Sequence, residues 1–449
     1  MSTNLRLLAV DHFFQQDLNA LAEEPGVAVR ALDYTRLRDA AVRIMGTSVT
    51  RGLEGFAEEL DERRSKRYLS WLVAEFERWL VEWPFDLLLL PSDTFFYVRQ
   101  LPDVARRYGI PVAVVQKETT ISPSTMETHA LRVGRYAPFI SDLMTVCSER
   151  QKEFWVRSGA ESDRIVVTGQ PRFDIYRHAR AGNPHSTQRR VLFLSYELDA
   201  YEPGVGRGMG RETWRSLRDE TEKALTRHVR STGDRLVVKH HPQQFIAGEL
   251  RRWQLLADDG WRDRIVVVDP NSDTRRLILD ADVVVGFQTT SLYEAVAAGR
   301  PTIYTGWGEP FERSRKALIP FHAASGCVMH ASSPMDLEKL LHEPHIPEPK
   351  CYQWIENALG PVDGFSARRV VKELRECVAM QEKSDLYHMV LSGRRARSRR
   401  NLLVATFSAL WYSAARPIAC YLGKGRGATQ RKDAAVERLR RLIHAARGE

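Results

Sequence analysis

Short apolar runs alternate with longer amphipathic stretches along this chain. In the first part of the sequence, five runs are rich in Val, Ile and Leu and nearly free of polar residues: 5–10, 87–90, 112–115, 143–147 and 165–168. Strands that are covered by helices on both faces have this composition, so the pattern predicts a parallel sheet built from βα units. Between the first two runs, apolar residues at helical spacing in a charged background predict helices across residues 34–83.

The same pattern then starts again. Six further runs predict a second set of strands: 191–195, 236–239, 265–268, 283–286, 302–304 and 328–330. The segment between the two sets, residues 177–190, is polar and contains Gly182 and Pro184, as linkers do. Two such modules in succession predict an α/β fold class with two Rossmann-like domains that face each other across a cleft. Ligands on sheets of this kind bind at the carboxyl ends of the strands.

The length of the chain agrees with this division. A chain of 449 residues is longer than one ordinary core requires and favours two domains with an appendage. We expect an N-terminal Rossmann-like domain at residues 1–180 and a C-terminal Rossmann-like domain at residues 188–380. The remaining residues, 381–449, are expected to form a basic, amphipathic helical tail.

The tail holds most of the positive charge. Residues 393–449 contain 14 Lys and Arg against 3 Asp and Glu, a local charge of +11; because the whole chain carries +9, the remainder has −2. A nearly neutral body does not favour binding to nucleic acid. The apolar stretch 401–422 is interrupted by Arg416 and Pro417, and the roughly 15 residues before the arginine are too few to span a bilayer. Its basic flanks predict attachment to a membrane surface, the alternative being a helix that packs back on a domain.

The cysteines indicate a reducing compartment. The five residues, at positions 147, 327, 351, 377 and 420, are widely spaced and form no CxxC pair. Such a set predicts reduced thiols in a cytosolic protein rather than a disulfide framework or a zinc site. The first ten residues show no cleavage site of a signal peptide. We therefore expect a cytoplasmic protein that is peripherally associated with the inner face of the cell membrane.

The strongest candidate site follows the predicted strand at 283–286. That strand ends at Gly286, and the polar loop after it contains Thr289, Thr290 and Ser291 and leads into a helix with Glu294 in its first turns. Backbone N–H groups, hydroxyls and the helix dipole can together hold a nucleotide phosphate, and Glu294 can accept hydrogen bonds from a ribose. The alternative is that the hydroxyls only cap the helix.

A second candidate site is the sequence Lys239-His240-His241-Pro242, directly after a predicted strand. A cation and two imidazoles at the carboxyl end of a strand can face a phosphorylated leaving group, and a histidine can act as an acid near neutral pH. Adjacent strand residues point in opposite directions, so we expect His241 to face the cleft and His240 to pack away from it.

A third candidate segment, residues 168–174, closes the first series of strands. Its Gly169 and Pro171 predict a tight turn, from which Arg172 can reach a ligand in the cleft. The alternative, that this segment is only the hinge between the domains, fits the sequence equally well.

The order of these motifs resembles that in bacterial GT-B enzymes of surface-polysaccharide synthesis. GQPRFD, KHHP, GFQTTSLYEAVAAGRP and DGFSAR follow one another between residues 110 and 377. The families that this order is similar to are the CDP-glycerol glycerophosphotransferases and the capsule Kdo- or sialyltransferase-like enzymes.

The resemblance implies an inverting, metal-independent transferase. Its donor would be a nucleotide sugar or a CDP-polyol, with a CMP, CDP or UDP leaving group, and it would need no cofactor. The first domain would bind a glycan or lipid-linked acceptor, and the product would be a capsule polysaccharide or a teichoic-acid-like polymer. The resemblance also implies that His241 and the pair Thr290-Ser291 contact the donor phosphate, and that Glu294 holds the ribose.

The catalytic base departs from the pattern of these families. In the sialyltransferases an acidic motif in the first domain supplies it, but the similar string here, Asp258-Asp259-Gly260, follows KHHP. The glycerophosphotransferases carry a histidine-glycine pair where this chain has Gln116-Lys117-Glu118-Thr119. The candidates are Glu118, Asp11 and His12, each at the end of a predicted strand. Each can instead be a cap or a hydrogen-bonding group within a loop.

Two other functions remain open at this point. A UDP-N-acetylglucosamine 2-epimerase-like enzyme shares the GT-B architecture but needs no lipid acceptor. A non-catalytic GT-B scaffold in envelope assembly would explain the missing first-domain motif.

Overall fold

The computed structural model describes residues 4–58, 60–117, 125–178, 188–196, 214–241, 244, 246–256, 262–316 and 318–392. Within these ranges the strands form two parallel sheets, each with six strands. The chain divides into two compact units, residues 1–384 and 385–449, and both sheets belong to the first unit. We refer to the part of this unit around the first sheet as the first module and to the part around the second sheet as the second module.

The elements of the first module begin with the N-terminal strand of the chain. Its strands are β1 (Leu5–Asp11), β2 (Val27–Asp33), β3 (Leu87–Leu90), β4 (Val112–Val115), β5 (Leu143–Val146) and β6 (Ile165–Val167). Its helices are α1 (Gln15–Ala22), α2 (Tyr34–Met45), α3 (Gly52–Glu58), α4 (Glu62–Glu82), α5 (Leu101–Arg107), α6 (Met126–Tyr136) and α7 (Glu149–Arg157). A 3₁₀ segment, Pro171–His178, follows the sheet.

The elements of the second module follow in the same alternation. Its strands are β7 (Arg190–Leu194), β8 (Arg235–Lys239), β9 (Ile265–Val268), β10 (Val283–Gly286), β11 (Thr302–Thr305) and β12 (Met329–Ala331). The helices are α8 (Arg215–Thr232), α9 (Ile246–Leu256), α10 (Thr274–Asp280), α11 (Ser291–Ala297), α12 (Glu309–Ser314), α13 (Pro334–His342), α14 (Cys351–Leu359) and α15 (Ser366–Ala379). In the second unit the structure describes one helix, α16 (Asp385–Leu391).

The predicted fold class is confirmed. The sheets have the orders β2-β1-β3-β4-β5-β6 and β12-β11-β10-β7-β8-β9, and every strand pair is parallel. The second order is that of a Rossmann fold, with its switch point between β7 and β10. The eleven predicted strands are all present. The central strands are buried between layers of helices, as in β3 and β10, where every position is buried, whereas the edge strands β9 and β12 are only partly buried.

The sequence pattern did not reveal β2. This strand lies at the edge of the first sheet and pairs only with β1. None of its seven positions is buried. Because an edge strand with an exposed face carries polar residues, here Arg30 and Asp33, it lacks the apolar run by which the other strands were recognised.

The carboxyl edges of the two sheets face each other. Gln16, in the first turn after β1, donates a hydrogen bond of 3.1 Å to Asp273, which lies between β9 and α10. Beside it, the guanidinium of Arg275 donates to the backbone carbonyl of Arg172 at 3.0 Å. Two Rossmann-like modules that meet at their carboxyl edges form the GT-B arrangement.

Helix α15 packs against the first sheet, although it falls within the range 188–380 that we predicted for the second domain. Ala367, Val370, Val371 and Leu374 share an apolar core with residues of β1, β3 and β4. The chain therefore returns to the first module after completing the second. The domain ranges stay a prediction; the strands alone span 5–167 and 190–331.

Two of the sequence motifs meet at the start of α15. The carboxylate of Asp174, from GQPRFD, accepts hydrogen bonds from the backbone N–H groups of Ser366 and Ala367, from DGFSAR, at 2.9 and 2.8 Å. Gly169 lies directly against Ser366 and adopts a φ of 79°, which a side chain would strain. These motifs hold the returning helix in place.

The expectation that all cysteines are reduced is wrong for one pair. Cys327 and Cys351 form a disulfide, with their Cα atoms 5.3 Å apart. Cys327 precedes β12 and Cys351 begins α14. The two residues are 24 positions apart in the sequence but adjacent in the fold. The thiols of Cys147 and Cys377 are reduced and buried.

The predicted tail lies outside the described residues from position 393 onward. In the described part of the chain, no helix combines the length and apolar character that crossing a membrane requires. The membrane association of the tail stays a prediction.

Replacing Gly360 with alanine should destabilise the contact between α14 and β5. Gly360 has a φ of 77°, and an added Cβ would collide with the backbone carbonyl of Cys147. Strain and overpacking together should lower the free energy of unfolding by about 3 kcal/mol. Gly299→Ala is the matched control, because Gly299 has a φ of 69° but no atom within 4 Å of an added Cβ. Thermal unfolding of both variants measures the difference, and equal melting temperatures would contradict the expected collision.

Candidate functional site

The carboxyl ends of four adjacent strands of the second sheet lie in one row. Gly286 pairs with Leu194, Leu194 with Lys239, and Lys239 with Val268. The loops after β10, β7, β8 and β9 therefore open at the same edge, and this edge faces the first module. The sequence candidates from the second module are brought together here.

Glu294 is buried at this edge, with 7% of its surface exposed. One carboxylate oxygen accepts a hydrogen bond from the hydroxyl of Tyr176 at 2.8 Å, and the other accepts one from Ser291 at 3.3 Å. Burial raises the pKa of Glu294, while the positive charges of Arg172 and Arg275 act in the opposite direction. A carboxylate has about four acceptor positions, so two protein donors leave capacity for the hydroxyls of a ligand.

The loop between β10 and α11 is held in a fixed shape. Gln288 has a φ of 41°, and its side-chain amide donates to the hydroxyl of Tyr304 and the carbonyl of Ile319 at 2.8 and 3.0 Å. The hydroxyl of Thr289 accepts a 3.3 Å hydrogen bond from the N–H of Ser291. Thr290 and Ser291 are half-buried, so this part of the loop is accessible from the edge.

Gly286 is the close-packed end of β10. An added Cβ would lie 3.2 Å from Leu292, 3.3 Å from Thr289 and 3.4 Å from Leu194. A larger residue would push the loop away from the sheet. Gly286 thus shapes the loop, and the side chains of neighbouring residues provide the polar groups.

Lys239 lies buried at the end of β8. Its ammonium donates to the backbone carbonyl of Pro270 at 2.8 Å, with the carbonyl of His240 at 3.4 Å. Burial lowers the pKa of Lys239, and the charges of Asp269 and Asp273 oppose this effect. The side chain joins the loop after β8 to the loop after β9.

The two histidines after β8 differ in exposure. As the alternation of strand residues predicts, the second of them is the more exposed. His240 is fully buried, whereas His241 is half-buried. Burial lowers the pKa of both rings, and for His241 the charge of Lys239 lowers it further. The backbone N–H of His241 donates to the side chain of Gln244 at 2.5 Å, and Gln244 in turn donates to Ser195 at 3.2 Å. A lowered pKa keeps the imidazole of His241 neutral at pH 7.

A buried ion-pair network lies next to His240. Arg218 pairs with Glu249 at 3.0 Å, and Arg252 pairs with Asp219 at 2.5 Å and with Glu222. Burial raises the pKa of Glu222 to about 7, against the charges of both arginines. The network joins α8 to α9 beside His240, which directly follows β8.

Arg172 is engaged within the first module. Its guanidinium lies 3.0 Å from the fully buried carboxylate of Asp17 and donates to the carbonyl of Lys117 at 2.9 Å. Asp17 also accepts hydrogen bonds from Gln170 at 2.7 Å and from the backbone N–H of Arg172 at 3.1 Å. These contacts place Arg172 at the junction of the modules, where its charge acts on Glu294.

The base candidates of the first module have different surroundings. Asp11 accepts a 3.1 Å hydrogen bond from the backbone N–H of Phe14. This contact stabilises the loop between β1 and α1. His12 lies 2.5 Å from the hydroxyl of Tyr97 through Nδ1. Glu118 lies outside the described residues. The identity of the base stays a prediction.

The sequence pattern did not point to Tyr176 or Asp17. Tyr176 lies two residues after GQPRFD, so the motif itself was the available signal for a residue that contacts Glu294. Asp17 gave no signal, because its partner Arg172 is 155 residues away in the sequence. Long-range polar pairs of this kind depend on the fold and not on local spacing.

Among the residues that the structure describes, no group of three or more His, Cys, Asp or Glu side chains is placed to hold a metal ion. The expectation that the protein works without a metal or cofactor stays a prediction.

The comparisons with known proteins concern the fold. No protein-family model matches this chain, and no curated protein sequence matches it. Among solved structures, it is similar to MnaA from S. aureus with bound UDP, at 15% identity and a TM-score of 0.48, over 85% of this chain and 99% of that one. It is also similar to the UDP-GlcNAc 2-epimerase from Methanocaldococcus jannaschii, at 14% identity and a TM-score of 0.48, over 83% and 99%.

A third similar structure is the wall teichoic acid polymerase TagF. It shares 11% identity with this chain at a TM-score of 0.43, over 68% of this chain and 85% of that one. At such identities the similarity is one of fold, and the activities of these proteins do not follow for this chain.

Proposed function

We propose that this protein transfers a sugar or polyol phosphate from a nucleotide-activated donor to a glycan or lipid-linked acceptor, in the synthesis of a cell-surface polymer. The observation that carries the proposal is the position of Glu294, His241, Thr290 and Ser291 at one carboxyl edge that faces a second Rossmann-like module. Two modules in this arrangement can bind one substrate each and bring them together.

The second module is the proposed donor site. Glu294 accepts hydrogen bonds from the ribose hydroxyls, and Thr290 donates to the donor phosphates. The single O–H of Ser291, which donates to Glu294 in the free protein, turns to the phosphates when the donor binds. The half-buried exposure of both hydroxyl residues supports these roles. Tyr176 and Ser291 hold the carboxylate of Glu294 in place before the ribose binds, which reduces the entropy that binding costs.

His241 acts as a neutral hydrogen-bond donor to the leaving phosphate. Its pKa is lowered by burial and by Lys239, so it carries no charge of its own at pH 7. The nearby ammonium of Lys239 supplies positive charge at the same edge. Stabilising the negative charge that develops on the leaving nucleotide is the largest contribution that such a site can make to the rate.

The first module is the proposed acceptor site and supplies the base. Direct displacement with inversion requires a group that removes the proton from the acceptor hydroxyl. Glu118, Asp11 and His12 stay the candidates. Asp11 ends β1, His12 follows it, and Glu118 comes three residues after β4 in the sequence. Arg172 is a positioning residue in this scheme, because its contacts with Asp17 and Lys117 fix the junction between the modules.

Turnover with and without acceptor tests the proposed function. Full-length protein is incubated with CMP-, CDP- and UDP-activated donors, with and without a detergent extract of cell envelopes, and release of free nucleotide is measured. The proposal predicts release that depends on the extract. Conversion of UDP-N-acetylglucosamine to its 2-epimer without extract would support the epimerase alternative, and nucleotide binding without turnover would support a scaffold.

Replacing His241 with alanine should weaken nucleotide binding by about tenfold, because a hydrogen bond to a charged phosphate is lost. His241→Gln should recover part of the affinity, since the amide can donate the same hydrogen bond. His241 should add no pH dependence to the affinity between pH 7 and 8.5, because the lowered pKa keeps the ring neutral throughout that range. Calorimetric titration checks all three expectations. An affinity that falls steeply from pH 7 to 8.5 in the wild type but not in His241→Gln would contradict the neutral role of His241.

A further inference from the structure

A group of aromatic rings lies at the carboxyl edge of the first sheet. It comprises His12, Phe13, Tyr34, Phe95 and Tyr97, and we call it the aromatic platform. His12 stacks on Tyr34 with ring centroids 4.1 Å apart and planes at 15°, and Phe95 stacks on Tyr97 at 5.6 Å and 5°. The hydrogen bond between Tyr97 and His12 joins the two stacks. The rings beneath Phe13 are therefore fixed in position.

Phe13 is the exposed member of the platform. Its side chain is 69% exposed, and its φ is 52°. A residue with a Cβ pays a conformational cost in this region of φ, and an exposed ring recovers little of it through burial. Backbone strain of this kind occurs where a side chain is held for a ligand. Phe13 thus contributes little to folding while its ring is displayed at the edge of the sheet.

A cation accompanies the exposed ring. The ammonium of Lys117 lies 5.7 Å from the centroid of Phe13 and 5.6 Å from that of Phe95, within the range of a cation–π contact. The backbone of Lys117 is fixed, since its N–H donates to Pro91 at 3.1 Å and its carbonyl accepts from Arg172 at 2.9 Å. A nonpolar ring face and a positive charge are thereby presented side by side.

The platform lies next to the second module. Phe13 is three residues before Gln16, whose side chain contacts Asp273 at 3.1 Å. A molecule that rests on the platform is therefore close to the edge that holds Glu294.

We propose that the aromatic platform binds a pyranose ring that carries a carboxylate or a phosphate group. The nonpolar face of the sugar stacks on Phe13, and the anionic group pairs with the ammonium of Lys117. This inference rests on the proposed transferase function, because it names the chemical class of the acceptor: an anionic glycan.

Ligand-observed saturation-transfer NMR on the full-length protein tests the platform. The probes are glucuronic acid, glucose 6-phosphate and glucose. Wild-type protein should bind one or both anionic sugars about threefold more tightly than glucose, as an exposed ion pair provides. Phe13→Ala should weaken binding of every sugar by about fivefold, through loss of the stacked apolar surface. Lys117→Met should abolish the preference for the anionic sugars while glucose still binds.

The control is Leu131→Ala, in which a residue of α6 that is 66% exposed is truncated away from the platform. It should bind all three sugars as the wild type does. Unchanged binding in Phe13→Ala, or no binding of any probe to the wild type, would overturn the proposal. A nucleotide titration of the wild-type protein separates the two ideas, because intact nucleotide binding without binding of any sugar probe contradicts the platform but not the donor site.

Discussion

Replacing Asp17 with alanine lowers the free energy of unfolding by about 3–5 kcal/mol, the usual effect of breaking a buried ion pair. Asp17 is fully buried and accepts hydrogen bonds from Gln170 and from both the backbone and the guanidinium of Arg172. Without the carboxylate the buried amide of Gln170 loses the acceptor at 2.7 Å, and the guanidinium of Arg172, which keeps its hydrogen bond to Lys117, loses the opposite charge beside it. The expected fall in melting temperature is about 4–6 °C for a unit of this size, measured by thermal unfolding followed by circular dichroism.

Asp39→Ala is the matched control for Asp17. Asp39 lies on α2 of the same module, its side chain is 75% exposed, and its pair with Arg38 spans 3.7 Å. Its loss should change the free energy of unfolding by at most about 0.5 kcal/mol. If Asp17→Ala melted within a degree or so of the wild type, the junction between the modules would not depend on this ion pair.

Replacing Glu294 with glutamine weakens nucleotide binding by about tenfold or more, because the carboxylate is the proposed acceptor for the ribose hydroxyls. The amide retains the volume of the side chain and can still accept from Tyr176, so the fold should tolerate the change. Calorimetric titration with the nucleotide that binds best measures the loss. Glu309→Gln is the control, since that side chain is 80% exposed at the start of α12.

The pH dependence gives a second check on Glu294. Burial raises the pKa of this carboxyl, so the free protein takes up a proton there more readily than an exposed glutamate does. A ribose that donates two hydrogen bonds requires the charged form. Nucleotide affinity should therefore decrease as the pH falls toward this pKa, and the dependence should disappear in Glu294→Gln. Equal affinity of the variant and the wild type at every pH would exclude Glu294 from the site.

The strands and the fold class were predictable because burial between helices leaves a clear mark on the sequence. Runs such as 87–90 and 283–286 are apolar at every position except a terminal glycine, and their short length favours a buried strand over a buried helix. The pattern did not predict β2, because this edge strand is exposed on one side and its apolar run is interrupted by Arg30 and ended by Asp33. The packing of α15 against the first sheet was not predicted either. Helical amphipathicity shows which face of a helix is buried but not against which sheet it packs.

The location of candidate residues was predictable where they end a strand or come just after it. Gly286, Lys239 and His241 lie at one edge because the carboxyl ends of parallel strands lie at the same edge of a sheet. The partners of these residues were not predictable, since the contact of Glu294 with Tyr176 spans 118 residues of sequence. The disulfide between Cys327 and Cys351 was not predicted, since spacing along the chain does not show that two segments meet in the fold.

The measurement that tests the donor site most directly is a thermal-shift screen of the full-length protein with CMP, CDP, UDP, UMP, GDP and ADP. A ligand that binds only the folded state stabilises it by about 2.7 kcal/mol at a hundred times its Kd. We predict a rise in melting temperature that is selective for cytidine or uridine nucleotides and is reduced by about half or more in Glu294→Ala and His241→Ala, as an affinity at least tenfold weaker requires. No rise with any nucleotide at millimolar concentration would contradict the assignment of the second module as a donor site.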